Sequence, residues 1–254
     1  IIGLLGGIGL ALVFHNLDTR LYSPEKIEQI IRQPVLGEIP SARMWRKRWI
    51  LLDKDRHAEA FRWLLTNLMA LINRQAVKTL CIISAEPQEG KSSVTANLAI
   101  AMGQAGLRVV VIDADHRRPA QHTIFKASND AGLSDVIQDF APLPDVLQPT
   151  SFPGVTVLSS GTAQTTPSQL TYGRRFTEVL GLLEEDYDLI LVDTPASLAV
   201  ADAAALAPRT DGSLLIVRHG HLQQKRLQSL QRQFEQVHAR LLGVVINRAK
   251  PHSH

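Results

Sequence analysis

One ten-residue segment of the chain combines glycine, lysine and serine in the order that phosphate-binding loops use. It covers residues 84–93 and reads Ser-Ala-Glu-Pro-Gln-Glu-Gly-Lys-Ser-Ser. In such a loop the backbone N–H groups converge on the phosphates, the lysine neutralises their charge, and the hydroxyl after it ligates Mg²⁺. The sequence therefore predicts a site for a nucleoside triphosphate with Mg²⁺. The predicted contacts are Pro87, Gln88, Glu89, Gly90, Lys91, Ser92 and Ser93.

Acidic residues follow two further apolar runs. Asp113 and Asp115 come after residues 109–112, and Asp193 comes after residues 189–192. Because the carboxyl ends of parallel strands share one edge of a sheet with the phosphate loop, we expect all three carboxylates near the triphosphate. The alternative is that they are ordinary turn residues at strand ends.

These carboxylates suit two chemical roles. Asp193 is expected to hold Mg²⁺ together with Ser92, either directly or through water. Asp113 or Asp115 is expected to hold Mg²⁺ or to accept a proton from an attacking hydroxyl. The predicted metal site is therefore Ser92, Asp113 and Asp193, and the predicted catalytic residues are Lys91, Asp113 and Asp115.

Apolar periodicity predicts the elements that position these residues. The predicted strands are Thr79–Ser84, Arg108–Ile112, Val155–Leu158, Leu189–Val192, Ser213–Val217 and Leu242–Ile246, and the main predicted helices cover 57–73, 92–104, 169–183 and 223–240. Strands that alternate with helices indicate an α/β fold with a doubly wound, mostly parallel sheet.

Asn247 follows the last predicted strand. Its side-chain amide is expected to hydrogen-bond an adenine edge or, alternatively, to cap a turn.

Composition narrows the class of protein. The 254 residues suit one α/β domain with a modest additional segment. The formal net charge of +3 gives no argument for a nucleic-acid partner. Cys81 is the single cysteine and lies in an apolar run, so it is expected to be a core residue of a protein from a reducing compartment.

The first part of the chain is apolar. Residues 1–14 carry no charged side chain, but they are fewer than the roughly 20 residues that span a bilayer. We interpret residues 1–15 as the end of a transmembrane helix, with a buried core helix or strand as the alternative. Residues 16–56 are then a predicted juxtamembrane linker with a short helix over 24–31 and an extended piece over 34–40. Residues 57–251 are the predicted P-loop domain.

Together these motifs resemble the bacterial tyrosine kinases that are fused to polysaccharide co-polymerases of the chain-length-determinant type. The resemblance covers nearly the whole chain and rests on three core motifs and three supporting ones. The core motifs are the P-loop over 85–92, Ile-Asp-Ala-Asp-His-Arg-Arg-Pro over 112–119 and Val-Asp-Thr-Pro over 192–195; the supporting motifs cover 34–40, 132–136 and 243–247.

The resemblance implies an ATP-dependent autokinase that acts on tyrosine and regulates the polymerisation and export of a capsule or exopolysaccharide. It implies ATP and Mg²⁺ as cofactors, Asp113 as a metal or base residue with Asp115 nearby, and Asp193 as the second metal-site aspartate. It also implies a place in the bacterial inner membrane with this domain in the cytoplasm. The implied partner is the polysaccharide machinery rather than nucleic acid.

The family assembles as homo-oligomeric rings through a helix with a Glu-x-x-Arg-x-x-Arg pattern. Glu59 and Arg62 keep the first two positions of that pattern, and Leu65 replaces the last arginine. We therefore expect a ring to be weakened.

The P-loop also departs from the family's pattern at two positions. Gln88 stands where many relatives carry glycine, and little effect is expected because its side chain can point away from the phosphates. Ala85 replaces the usual first glycine and is expected to keep an ordinary φ.

The family also usually ends in a cluster of tyrosines that are phosphorylated in trans. The tyrosines here are Tyr22, Tyr172 and Tyr187, and the last two are expected to be buried.

Two other functions therefore stay open. A partitioning or positioning ATPase of the same fold would carry an additional lysine at the position of Pro87. A non-catalytic ATP-binding switch would control the oligomerisation of a chain-length regulator without phosphorylating it.

Overall fold

The computed structural model describes residues 20–41, 56–162, 174–195 and 205–250. Its helices are α1 Pro24–Ile31, α2 Arg56–Gln75, α3 Lys91–Gln104, α4 Gln121–Phe125, α5 Leu133–Ile137, α6 Leu143–Val146, α7 Arg174–Asp186 and α8 Gln224–Gln236, with a 3₁₀ turn at Ala207–Arg209. Its strands are β1 Val35–Pro40, β2 Thr79–Ser84, β3 Val109–Asp113, β4 Leu147–Pro149, β5 Val155–Leu158, β6 Leu189–Asp193, β7 Gly212–Arg218 and β8 Leu241–Ala249. All six predicted strands are present within a few residues of their predicted bounds.

The strands form one eight-stranded sheet in the order β1-β8-β7-β2-β6-β3-β5-β4. Neighbouring strands run parallel except β4, which is antiparallel to β5. The predicted doubly wound, mostly parallel sheet is therefore confirmed. Strand β2 lies in the middle of the sheet, between β6 and β7, so the loop that follows it opens at the centre of the carboxyl edge.

Helices cover both faces of the sheet, and alternation along β2 divides its side chains between two cores. Leu80 and Ile82 belong to the core under α2 and α3. Cys81 and Ile83 belong to the core on the opposite face, under α1, α7 and α8. All four side chains are fully buried, as expected for a central strand of a parallel sheet. Cys81 is thus a core residue, as the sequence predicts.

The sheet begins earlier in the chain than the sequence analysis places the start of the domain. Strand β1 pairs in parallel with β8, with Ile39 opposite Asn247. Helix α1 has the predicted bounds and buries Ile27 and Ile31 against the core. This stretch of the interpreted linker 16–56 is therefore part of the folded domain. The short run between two prolines is apolar enough to form an edge strand, where proline is tolerated.

The predicted transmembrane end over residues 1–15 lies outside the described residues. Among the helices of the described ranges, none combines the length and the apolar character that crossing a membrane requires.

Strand β4 was not predicted. It has only three residues and ends in proline, so the sequence shows no alternating pattern there.

Candidate nucleotide and phosphoryl-transfer site

The predicted P-loop joins the end of β2 at Ser84 to the start of α3 at Lys91. Gly90, the residue before the helix, has φ +91°, a conformation that glycine adopts without steric cost. A Cβ at this position would lie 2.2 Å from Nδ2 of Asn247, so close packing requires glycine as well. The first-turn N–H groups of α3 have no partner within the helix and face the loop, which makes this helix start suited to phosphate.

Two other backbone positions test the expectations for the loop. Ala85 stays outside the left-handed region, as predicted for a residue that replaces the usual glycine. Gln88 has φ +65°, in the left-handed region. For a side-chain-bearing residue this conformation costs about 1 kcal/mol, so glutamine does have an effect here that the sequence analysis did not expect.

A buried carboxyl group supports the loop from within. Glu89 is only 1% exposed, and its Oε2 accepts the backbone N–H of Glu86 at 2.8 Å. Its Oε1 accepts the backbone N–H of Arg218, at the end of β7, at 3.2 Å. Burial raises the pKa of Glu89 to about 7, against the opposing effect of these two hydrogen bonds. The side chain therefore ties the loop to the neighbouring strand, beyond the backbone contact that the sequence predicts.

Asn247 supports the same loop from strand β8. Its Nδ2 donates to the backbone carbonyl of Glu89 at 2.7 Å, and its Oδ1 accepts the N–H of Arg248 at 2.9 Å. The side chain is 3% exposed. One N–H of the amide is thus committed to the loop, and the hydrogen bond to adenine stays a prediction.

Lys91 and Asp193 form a buried ion pair. The ammonium Nζ contacts Oδ1 of the carboxylate, and the two side chains are 5% and 0% exposed. Asp193 ends β6, and β6 lies beside β2 in the sheet. The strand order therefore brings the lysine and the predicted metal-site aspartate together. A bound phosphate would compete with Asp193 for this ammonium group.

Asp113 lies directly opposite Asp193 in the pairing of β3 with β6. Its Oδ2 accepts the backbone N–H groups of Ala120 at 2.8 Å and Gln121 at 2.9 Å. Burial, and next the charge of Asp193, raise the pKa of Asp113 above its ordinary value. A carboxylate with a raised pKa is suited to accept a proton near neutral pH.

Asp115 has a different environment from Asp113, although only one residue separates them. Its Oδ1 accepts the N–H of Arg118 at 3.0 Å, and its own N–H donates to Oδ1 of Asp113 at 3.2 Å. This pattern is typical of an aspartate that stabilises a turn. Asp115 therefore lies beside Asp113, as expected, and the contacts it makes are those of the turn alternative.

Gln121 is a residue of this site that the sequence analysis missed. It is fully buried, and its Nε2 donates to Oδ2 of Asp193 at 2.6 Å and to the backbone carbonyl of Ser92 at 3.1 Å. Its Oε1 has no hydrogen-bond partner among the described residues, which for a buried acceptor costs about 1–3 kcal/mol. The only sequence signal was a polar residue shortly after the aspartate motif.

The residues present suit a nucleotide-bound divalent cation. One hydroxyl, of Ser92, and the carboxylates of Asp113 and Asp193 are oxygen ligands of the kind Mg²⁺ prefers. Within the described ranges, no group of three His, Cys, Asp or Glu side chains could hold a metal ion. An ion here would therefore depend on phosphate oxygens and water for the rest of its coordination, as in other P-loop sites.

The remaining predicted residues are the assembly residues of α2 and the tyrosines. Glu59 and Arg62 are exposed on α2, whereas Leu65 is half-buried and packs against the core. Tyr187 is half-buried against the opposite core, in line with the expected burial. Tyr172 lies outside the described residues. The described tyrosine that is exposed is Tyr22, at 46%.

Comparison with known proteins agrees with this geometry. The AAA domain family matches residues 77–245. Tyrosine-protein kinase YwqD of Bacillus subtilis is 34% identical over 202 residues, which cover 79% of this chain and 85% of that protein. Tyrosine-protein kinase etk of Escherichia coli is 29% identical over 269 residues, which cover 97% of this chain and 37% of that protein. The chain thus spans about a third of etk's length.

Solved structures of a tyrosine kinase domain and of a related ATPase are also similar to this chain. The kinase domain of Escherichia coli tyrosine kinase ETK superposes with a TM-score of 0.82 at 31% identity, covering 91% of this chain and 96% of that one. The cell division ATPase MinD of Pyrococcus furiosus is more distant, with a TM-score of 0.58 at 26% identity over 69% of this chain and 76% of that one. The P-loop fold implies a nucleotide with a divalent metal. The chain belongs to the AAA domain family and, within it, to the bacterial tyrosine-protein kinases.

Proposed function

We propose that this domain transfers the γ-phosphate of ATP to tyrosine, and that it regulates the polymerisation and export of a capsule or exopolysaccharide. The observation that carries the proposal is the arrangement of Lys91, Asp113 and Asp193 at the carboxyl edge of β2, β3 and β6. The buried Lys91–Asp193 pair supports a site held ready for phosphate. The raised pKa of Asp113 supports a base near neutral pH.

The residues divide the transfer between them. Lys91 leaves Asp193 and neutralises charge on the phosphates, while the N–H groups of the loop and of the first turn of α3 orient them. Bound Mg²⁺ would offset charge on the β- and γ-phosphates, held by Ser92 and, directly or through water, by Asp193. The tyrosine oxygen forms a bond to the γ-phosphorus as the bond to the bridging oxygen breaks and ADP leaves. Asp113 accepts the proton of the tyrosine hydroxyl.

The test is phosphotyrosine formation on an added tyrosine-containing copolymer with ATP and Mg²⁺. We expect the native chain to phosphorylate the copolymer and Asp113→Ala to lose about a hundredfold or more of the rate. Asp115→Ala is the matched control, and we expect it to retain most of the activity because Asp115 makes turn contacts. A fully active Asp113→Ala variant would remove Asp113 from the role of base.

Two further functions give different results in the same assay. A partitioning or positioning ATPase would release free phosphate without labelling tyrosine. Pro87 at the position of that class's additional lysine argues against it. A non-catalytic switch would bind ATP without consuming it. Leu65 on α2 is the observation that favours this reading, because the family's assembly helix is altered there.

We also propose that the chain acts as a homo-oligomer at the bacterial inner membrane, with this domain on the cytoplasmic side. Exposed Glu59 and Arg62 on α2 support a contact between copies, and half-buried Leu65 makes that contact weaker than an arginine would. Light scattering over a range of protein concentrations tests this. We expect reversible association that Arg62→Ala reduces, and association that is unchanged in this variant would exclude the α2 contact.

A further inference from the structure

Gln121 donates hydrogen bonds to all three predicted metal-site residues. Its Nε2 donates to Oδ2 of Asp193 at 2.6 Å and to the carbonyl of Ser92 at 3.1 Å. Its backbone N–H donates to Oδ2 of Asp113 at 2.9 Å. One residue therefore connects the ends of β3 and β6 to the first turn of α3.

The two oxygens of Asp193 have partners of different kinds. Oδ1 pairs with the ammonium group of Lys91, and Oδ2 accepts from the carboxamide of Gln121. The ammonium group is charged, so a bound phosphate would attract it away from Asp193. The carboxamide is neutral and fully buried, so a phosphate does not draw it away. Movement of Lys91 onto a phosphate would therefore free Oδ1, while Oδ2 would keep its bond to Gln121.

We propose that Gln121 is a positioning residue that fixes Oδ2 of Asp193, so that Oδ1 is the oxygen offered to the metal when Lys91 moves onto the phosphates. The inference deepens the proposed nucleotide site and rests on it. The orphaned Oε1 of Gln121 is a second observation in its favour. A water of the hydration shell of Mg²⁺ is a donor that would satisfy this buried acceptor.

The experiment measures the dissociation constant of ATP by calorimetry, once with Mg²⁺ and once with EDTA. The ratio of the two constants, which we name the magnesium gain, reports the metal site separately from the phosphate loop. Gln121→Met keeps the side-chain length but has no donor. We expect it to lower the magnesium gain about tenfold and to leave the affinity in EDTA within about twofold. A wild-type magnesium gain in this variant would overturn the proposal.

Two further variants separate positioning from loss of structure. Gln138→Met is the matched control because Gln138 also has a buried amide atom without a partner but lies at the end of α5, outside the hydrogen bonds of Asp113 and Asp193. We expect it to keep the wild-type magnesium gain. Gln121→Asn keeps a carboxamide that is one methylene shorter, and it decides the question if Gln121→Met does not fold. We expect a reduced gain in Gln121→Asn, and an unchanged gain would again overturn the proposal.

The kinase proposal and this inference can fail separately. A wild-type chain with a clear magnesium gain that Gln121→Met loses supports positioning, even if no tyrosine is phosphorylated. A wild-type chain that phosphorylates tyrosine, with an unchanged magnesium gain in the variant, keeps the kinase and overturns the role of Gln121. If Gln121→Met lowers the ATP affinity by the same factor with and without Mg²⁺, the role of Gln121 is purely structural. That result would also overturn the positioning proposal.

Discussion

The side-chain amide of Asn247 on β8 donates a 2.7 Å hydrogen bond to the backbone carbonyl of Glu89 in the P-loop. A strand two positions away from β2 in the sheet thus holds the phosphate loop in place. The same amide nitrogen lies where a side chain at Gly90 would have to fit. The loop conformation is therefore determined by the last strand as well as by the loop's own glycine.

Removing this support should weaken nucleotide binding. We expect Asn247→Ala to lower ATP affinity about tenfold and stability by about 1–3 kcal/mol, because a buried carbonyl loses its donor. Calorimetry and chemical denaturation measure the two effects. Asn67→Ala is the control, since Asn67 donates a bond of similar length, 2.8 Å, to the carbonyl of Leu36 on edge strand β1 rather than to the loop. Equal ATP affinity in the two variants would show that Asn247 does not shape the site.

Glu89 should make stability depend on pH. Burial raises its pKa to about 7 from the ordinary value of 4.5, so between these values the folded state keeps a proton that the unfolded state releases. The contribution of Glu89 to stability is then highest below pH 4.5 and falls as the pH rises to about 7. At about 1.4 kcal/mol per pKa unit, the fall approaches roughly 3 kcal/mol.

The variant Glu89→Gln isolates this effect because it carries no titratable group. Asp113 shifts in the same direction but is present in both proteins, so its contribution cancels in the difference. We expect the free energy of unfolding of the native chain to fall relative to Glu89→Gln between pH 5 and pH 7. Denaturation curves at several pH values measure it, and parallel profiles would contradict the raised pKa.

Gln88 offers a test of backbone strain. With φ +65°, replacement by glycine should remove a cost of about 1 kcal/mol, partly offset by the greater freedom of glycine in the unfolded chain. We expect Gln88→Gly to be as stable as the native chain or slightly more stable, and Gln88→Val to be less stable because β-branching opposes this conformation. Urea denaturation compares them, and a Gln88→Val variant of native stability would mean that the loop does not hold this φ.

Cys81 should be inert in the folded state. It is fully buried, and burial raises the pKa of its thiol to about 12. Since the thiolate is the reactive form, we expect alkylation by iodoacetamide at pH 8 to be more than about a hundredfold slower in the native chain than in guanidinium chloride. As this is the only cysteine, mass spectrometry reports it directly. Equal rates would place Cys81 outside the core.

The fold was largely predictable because a parallel sheet buries both faces of its strands. Segments such as Val109–Asp113 and Leu189–Asp193 are continuous apolar runs that end in a carboxylate, which is a strong local signal. Edge strand β1 was predicted only as an extended piece. Its pairing with β8 joins residues about 200 positions apart, and no local pattern encodes such a partner.

The candidate site, like the fold, could be predicted from the sequence only in part. The P-loop is a contiguous motif, so Lys91 and Ser92 could be identified from spacing alone. Gln121 could not, because its bond to Asp193 spans 72 residues and depends on how α4 packs beside the strand ends. The support that Asn247 gives to Glu89 spans 158 residues. Such contacts follow from strand order, which the sequence does not state.

The proposed function depends on transfer of the γ-phosphate held by Lys91 to tyrosine. The direct measurement incubates the native chain and Lys91→Met with γ-labelled ATP and Mg²⁺ and separates labelled phosphotyrosine from free phosphate. We expect label on tyrosine, on this chain or on the added copolymer, and its loss in Lys91→Met by about a hundredfold or more. Free phosphate without labelled tyrosine, or equal labelling by Lys91→Met, would contradict it.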